Sequence, residues 1–258
     1  MNSMTYLGRR GVTIAAPFIV LALLWQVAAA IFPPFLFPPL KDVAIRTFEI
    51  LATWKLFSDV LVTVLRILYG LFGAFLIGAI FALLMHRYRA VDEFLSPILT
   101  FFQGIPALSW VVFAIIWFHG TETRVLFIMV ATTLPAFTFQ ILGALRAMSK
   151  DLSEMVLSFR PTRWKMFRKM IFPSILPEIL TAWKVNIGNA SRVVVVAELV
   201  GATGGVGYQL LLQQQLFDMA GALAWTMQLV IFVILVQQTI AGIERVAFRY
   251  RAVSERSL

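Results

Sequence analysis

The chain lacks cysteine altogether and has only two histidines among its 258 residues. The absence of cysteine excludes disulfide bridges and cysteine metal sites, and His86 and His119 stand far apart in the sequence. The sequence also has no Walker A loop, no HExxH zinc motif and no GxSxG nucleophile motif. We therefore expect no catalytic centre, no metal site and no cofactor in this chain.

Charge is also scarce. Only 14% of the residues are charged and 60% are hydrophobic, with a mean hydropathy of +0.86, whereas an ordinary soluble domain has about 25% charged residues. A chain this apolar cannot cover its surface with polar groups, so lipid must serve as its solvent. The composition therefore predicts a membrane protein.

Apolar runs long enough to cross a bilayer recur along the chain. The first follows MNSMTYLGRR (1–10) without a small-residue cleavage site, so we interpret it as a retained span and not as a signal peptide. The third contains Pro97 and a Gly-Ile-Pro break at 104–106, which is tolerable only where it faces protein or a water-filled path. An amphipathic helix is expected at 42–54, along the outer membrane surface. The six predicted spans cover residues 12–32, 60–84, 95–118, 124–145, 182–201 and 223–243.

These runs predict an all-α membrane protein with about six transmembrane helices. We expect one domain, residues 1–258, whose core extends from about 60 to 245 and whose N-terminal span is 12–32. Three glycines in the second span (Gly70, Gly73 and Gly78) are expected to allow close helix approach.

Acidic residues are few beside basic ones, which gives a formal net charge of +9. Positive loops between spans stay in the cytoplasm. With both termini inside, sixteen of the 22 Lys and Arg residues lie in cytoplasmic segments. Four lie outside (Lys41, Arg46, Lys55 and Arg124) and two within spans (Arg66 and Arg192). The basic residues therefore indicate topology, and we expect no nucleic acid as a partner.

The densest basic segment is the cytoplasmic loop 146–181, in which apolar residues recur at helical spacing. Leu152, Met155, Val156 and Phe159 form the stripe of an amphipathic helix. Pro161 should break that helix, because the residue before a proline is disfavoured in α geometry.

Beyond the break, Thr162 is expected to N-cap a second short helix. Trp164, Phe167, Met170 and Ile171 would share one face of it, and Pro173 and Pro177 are expected to end it. A helix–break–helix with an apolar stripe at the cytoplasmic surface favours docking to a partner.

These residues resemble a known family. EMV (154–156), then Arg160, then MIFP (170–173) follow the order and spacing of the "EAA" loop of bacterial ABC importer permeases. Glu154 and Pro173 are the positions identical to the family pattern, whereas Arg160 replaces its glycine.

Other segments resemble the nitrate/sulfonate/taurine/bicarbonate branch of these permeases. They are QGIPA (103–107) with Trp-Phe at 117–118, and AEL (197–199) followed by GGVGY (204–208). The resemblance covers about residues 14–247.

The resemblance implies a type I ABC importer-like permease, multi-pass in the bacterial inner membrane. It implies a second copy of the chain, two ABC ATPase subunits that bind ATP and magnesium, and an extracytoplasmic solute-binding protein, all assembled in membrane lipid. The solute would be a small anion (sulfonate or taurine, nitrate or bicarbonate) or, alternatively, an aromatic or vitamin-like compound. The residues assigned to ATPase coupling are Glu154, Met155, Val156, Phe159, Arg160, Pro161, Trp164 and Pro173.

Two alternatives are compatible with the same sequence features. The apolar stripe around Glu154 is also compatible with a helix that rests on lipid headgroups. A self-contained channel or secondary transporter is the alternative for the whole chain, although ion coupling usually requires intramembrane acids and Glu198 is the only acid inside a predicted span.

Arg192 is the most informative polar residue in a predicted span, because a charge at that depth costs about 2.5–3.5 kcal/mol or more. It is expected either to pair with a carboxylate or helix-end carbonyl, or to mark the path of an anionic solute. Asn186 and Asn189 could line a polar cavity beside it.

Glu198 is expected either in that pathway or as a structural cap on the Gly-rich segment that follows. Arg66 could extend towards the surface or pair with Glu198. The glycines at 204–207 precede no Walker lysine, so we interpret them as residues that form turns on the outer side.

Overall fold

The computed structural model describes residues 3–148, 154–156, 158–159 and 161–248, and this part of the chain is helical without strands. The helices are α1 (Ser3–Ile31), α2 (Leu40–Ala52), α3 (Trp54–Arg87), α4 (Arg89–Gly104), α5 (Ala107–Trp117), α6 (Thr121–Arg146), α7 (Arg163–Met166), α8 (Phe172–Leu199), α9 (Val206–Gln215) and α10 (Met219–Ala247). A π-helical turn, Phe167–Ile171, joins α7 to α8. The predicted all-α membrane fold is confirmed.

Among the described residues, α3, α6 and α10 are each long and apolar enough to cross a bilayer. The pair α4 and α5 also qualifies together, but it is bent by 96° at the predicted Gly-Ile-Pro break. Helix α1 has an apolar part at Ala16–Ile31. Helix α8 has 28 residues, or about 42 Å, but it is not among these candidates and contains lysine, arginine, glutamate and asparagine. The six predicted spans fall on α1, α3, α4–α5, α6, α8 and α10, of which three helices, or four spans with the bent pair, are long and apolar enough among the described residues.

The prediction that Pro173 and Pro177 end a short helix is wrong. Both prolines lie in the first two turns of α8, which continues to Leu199. Pro173 is near the start of α8, where a missing N–H costs little. In the π turn before it, the Phe172 N–H donates to the Phe167 carbonyl, so the wider turn joins α7 and α8 without a break.

Helices α3, α6 and α8 form the centre of the bundle. Phe75 on α3, Phe137 on α6 and Trp183 on α8 meet there, with ring centroids 5.4–5.6 Å apart. Ile67, Leu71, Met129, Phe137 and Ile187 are fully buried around them. The centre is therefore apolar and close-packed.

Two of the three glycines on α3 allow its close approach to α6, as expected. A Cβ added at Gly70 would lie 2.8 Å from the Met129 Cβ, and one at Gly78 would lie 3.1 Å from the Thr138 hydroxyl. Gly73 differs, because the nearest atom to an added Cβ is 3.9 Å away, an ordinary contact.

The first testable prediction concerns this packing. Gly70→Ala should lower the free energy of unfolding by about 1–3 kcal/mol, because the new methyl overpacks a rigid contact. Gly73→Ala is the matched control and should be neutral or slightly stabilising, since alanine favours helix by about 0.5–1 kcal/mol. Thermal unfolding of the purified proteins in one detergent provides the comparison. Equal stability of the two variants would contradict the packing described.

Candidate functional site

A buried ion pair links the N-terminal half of α3 to the C-terminal end of α8. The Arg66 Nη1 lies 2.8 Å from the Glu198 Oε1, and the two side chains are 5% and 0% exposed. The same Arg66 nitrogen donates to the Gly204 carbonyl at 2.8 Å. Arg66 also forms an ion pair with the largely exposed Glu122 on α6. One guanidinium therefore connects α3, α6, α8 and the segment that leads to α9.

The N-terminus of α9 is held by acceptors from α3 and α8. The Gly205 N–H donates to Asp59 at 2.9 Å, the Val206 N–H to the Thr63 hydroxyl at 2.8 Å, and the Gly207 N–H to Glu198 at 2.8 Å. These amides have no partner within their own helix, and the positive end of the helix dipole favours carboxylates there. The start of α9 is therefore anchored by its backbone amides.

The glycines make this anchoring possible. Gly205 has a φ of 111°, a conformation that L side chains rarely adopt. A Cβ at Gly205 would lie 2.6 Å from the Glu198 carboxylate, and one at Gly207 would lie 2.5 Å from the Val195 carbonyl. Besides forming a turn, these glycines let the backbone reach Glu198.

Part of this network could be predicted from the sequence. The Arg66–Glu198 pair was one of two possibilities for Arg66, and the structure forms it. Asp59, Thr63 and Arg66 were recognisable as one face of α3, because they are spaced i, i+4 and i+7. Glu122 was missed, since nothing in HGTET (119–123) indicates its partner.

A separate cavity of about 420 Å³ lies between α8 and α10. Its walls are two facing helical stripes, with Leu210 of α9 at one side. The stripe on α8 consists of Gly188, Ser191, Arg192 and Val195, and that on α10 of Thr226, Leu229, Val230, Val233 and Ile234.

Arg192 lies seven residues before the C-terminal end of α8, a distance of about 10 Å along the helix. It is therefore about midway between the centre and the C-terminal end of the helix. Its side chain is exposed. It has no hydrogen bond or ion pair to any residue that the structure describes.

The other three residues assigned to the pathway, Asn186, Asn189 and Glu198, do not line this cavity. Asn186 is buried and donates to Gln140 on α6 at 2.8 Å and to the Ala182 carbonyl at 2.9 Å. Asn189 is half-buried, and although it lies between Gly188 and Ser191 in the sequence, it is not among the residues that line the cavity.

The loop 146–181 presents apolar side chains to its surroundings where the structure describes it. Phe159 is 80% exposed and Trp164 is 67% exposed. Trp164 stacks on Phe167 with centroids 5.9 Å apart, and Phe167 contacts Phe172 at the start of α8 at 6.1 Å. The predicted cap is present, because the Lys165 N–H donates to the Thr162 hydroxyl at 3.4 Å.

The remaining residues assigned to coupling are only partly described. Glu154 and Met155 are exposed, whereas Val156, Pro161 and Pro173 are half-buried. Arg160, like Leu152 of the predicted stripe, lies outside the described residues.

The second prediction tests the buried ion pair. Arg66→Met should lower the free energy of unfolding by about 3–5 kcal/mol, because Glu198 is left as an uncompensated buried charge. Adding Glu198→Gln removes that charge and should recover part of the loss. The control is Arg46→Met, whose partner Asp218 lies 2.9 Å away nearer the surface, and which should cost about 0–1 kcal/mol. A double variant no more stable than Arg66→Met would refute the proposed cause.

Comparison with known proteins identifies the family. The chain is 25% identical over 208 residues to the formylaminopyrimidine transport permease protein ThiX of Halalkalibacterium halodurans, covering 80% of this chain and 83% of that protein. It is 26% identical over 197 residues to the taurine transport system permease protein TauC of Escherichia coli, covering 74% and 71% respectively.

A similar fold occurs in a solved inward-facing structure of the MetNI methionine ABC transporter. The TM-score is 0.59 at 20% identity, covering 76% of this chain and 99% of that one. Residues 74–245 match the family described as "Binding-protein-dependent transport system inner membrane component". Since this match covers most of the chain, the protein belongs to that family of ABC importer permeases.

Proposed function

We propose that this chain forms the membrane pathway of an ATP-driven importer for a small anionic solute. Its membership in the ABC permease family supports the class of transporter. The observation that supports an anionic solute is Arg192, an exposed guanidinium without a described partner beside an open cavity. A guanidinium does not deprotonate in proteins, so this position remains cationic at any accessible pH.

The proposed assembly contains two copies of the chain, two cytoplasmic ABC ATPase subunits and an extracytoplasmic solute-binding protein, in a lipid bilayer. The family description itself names dependence on a binding protein. ATP and magnesium would bind to the ATPases, so hydrolysis would take place in the partner. Both termini and the loop 146–181 would face the cytoplasm, which is the orientation favoured by the basic residues.

The loop and α8 provide a mechanical connection. The exposed Phe159 and Trp164 would insert into the ATPase, with Glu154 at the edge of the contact. The stack from Trp164 through Phe167 to Phe172 leads directly into α8. Helix α8 continues unbroken to Arg192 and Glu198, so closure of the ATPases would shift the cavity and the outer network together.

A neutral or heteroaromatic solute is the second candidate. The observation that favours it is the relative named for formylaminopyrimidine transport. Uptake assays with the complete complex would distinguish it from the anionic class.

The third prediction concerns orientation. A cysteine at Thr162 should react only with reagents that enter the cytoplasm, whereas a cysteine at Thr203 should react with impermeant reagents added outside. The background is clean because the chain has no cysteine of its own. Labelling of Thr162→Cys from outside would reverse the proposed orientation.

The fourth prediction tests coupling. Trp164→Ala should weaken ATPase binding about 30-fold, since the loss of a central anchor costs about 2 kcal/mol. ATP-dependent uptake by the reconstituted importer should fall with it, and Phe159→Ala should behave alike. Membrane insertion should persist, because neither residue lies in a span.

Trp54→Ala is the matched control, since Trp54 is also largely exposed, at 72%, but is the first residue of α3 and not part of the loop 146–181. It should retain both ATPase binding and uptake. A full complement of ATPase on Trp164→Ala protein would exclude docking at this loop. Absence of ATP-dependent uptake of any solute by the native complex would refute the proposed function itself.

A further inference from the structure

The cavity between α8 and α10 has mainly apolar walls and one charge. Apart from Arg192, its polar side chains are Ser191 and Thr226. Their hydroxyls donate to the Ile187 carbonyl at 2.8 Å and the Ala222 carbonyl at 2.9 Å. Since each hydroxyl uses its proton on its own helix, Arg192 is the side chain with donors available to a solute.

No charged group of the surrounding helices neutralises Arg192 within the part of the chain that the structure describes. Helix α9 has no charged residue, and α10 has none before Glu244. Glu244 is paired with Lys184. Glu198 is held by Arg66, Thr63 and the Gly207 amide. The counter-charge must therefore come from a bound anion or the surrounding solution.

We propose that this cavity binds organic anions that have an apolar body and no amine. The assignment rests on the proposed import function and narrows its solute class. The anionic group would lie on Arg192, and the body would lie between the stripes of α8 and α10. An amine would meet no carboxylate among the lining residues, so a zwitterionic aminosulfonate fits poorly.

Size supports an organic solute. The cavity of about 420 Å³ lies within the usual range of small-molecule sites, about 300–1,000 Å³. This volume is that of about fourteen water molecules in liquid water. Nitrate or bicarbonate, with only a few heavy atoms, would leave most of the apolar wall in contact with water and would gain nothing from it.

The test measures binding through a cysteine on the rim. Thr226→Cys places a thiol at the exposed edge of the cavity, and Thr239→Cys on the same helix is the control. Both threonines are exposed, and both donate to the carbonyl four residues earlier. Alkylation by N-ethylmaleimide is followed on the full-length chain in complex with its ATPase, without ATP, in phosphatidylcholine vesicles.

Straight-chain alkanesulfonates are the probes. They should slow alkylation of Thr226→Cys and leave Thr239→Cys unchanged. Each added methylene should lower the concentration needed about four-fold while the chain fits the cavity, which corresponds to about 0.8 kcal/mol per buried CH₂. Adding Arg192→Gln should raise that concentration about tenfold or more, since the charge-assisted bonds are lost. Arg192→Lys should retain part of the protection.

Several results would overturn the assignment. They are equal protection by nitrate, by taurine or by the neutral alkanesulfonamide of the same length, and protection that survives Arg192→Gln. Failure of Thr226→Cys to react without a probe would show that the cavity is closed to water. Protection caused by phosphatidylglycerol in the vesicles, without added solute, would assign the cavity to lipid.

These outcomes are separate from those of the uptake assay. If alkanesulfonates fail to protect Thr226→Cys while ATP-dependent uptake is intact, the binding site is refuted and the import function stands. Unchanged alkylation of Thr239→Cys in the Arg192→Gln protein would show that the variant keeps its fold.

Discussion

One end of the helical bundle depends on two opposite charges buried side by side. Arg66 and Glu198 lie almost without solvent contact at 2.8 Å, and each would be costly to bury alone. Arg66 also donates to the Gly204 carbonyl, and Glu198 also accepts from the Gly207 amide. Because the charges can be buried only when the backbone of 204–207 is in place, the ion pair and the position of α9 determine each other.

The same mutual dependence fixes the position of one wall of the cavity as well as that of the segment 204–207. Leu210 of α9 forms part of its wall, so the helix that Glu198 anchors also bounds the space beside Arg192. Both residues lie on α8, separated by less than two turns but directed to different sides of it. One side of α8 therefore holds a satisfied charge within the protein, and another presents an unsatisfied charge at a cavity.

Helix α8 also joins the two ends of the molecule. It begins at the aromatic stack of the loop 146–181 and ends at the buried ion pair. An unbroken helix transmits displacement along its axis better than two segments joined by a loop. The π turn before Pro173 is the place where the path could bend, since its wider hydrogen bonding already departs from regular α geometry.

The sequence by itself determined the helical membrane class, the positions of most spans, the amphipathic α2 and the break at 104–106. These features depend on local periodicity, on composition and on proline chemistry, all of which can be read along the chain. Only the tertiary structure decided which partners the polar side chains take. Asn186 bonds to Gln140, Arg66 takes a second partner in Glu122, and Arg192 has no described partner. The sequence cannot fix such pairings, because residues far apart in it meet only once the helices pack and rotate about their axes. The helix through Pro173 was also decided by context, since the π turn before it replaced the break that a proline favours locally.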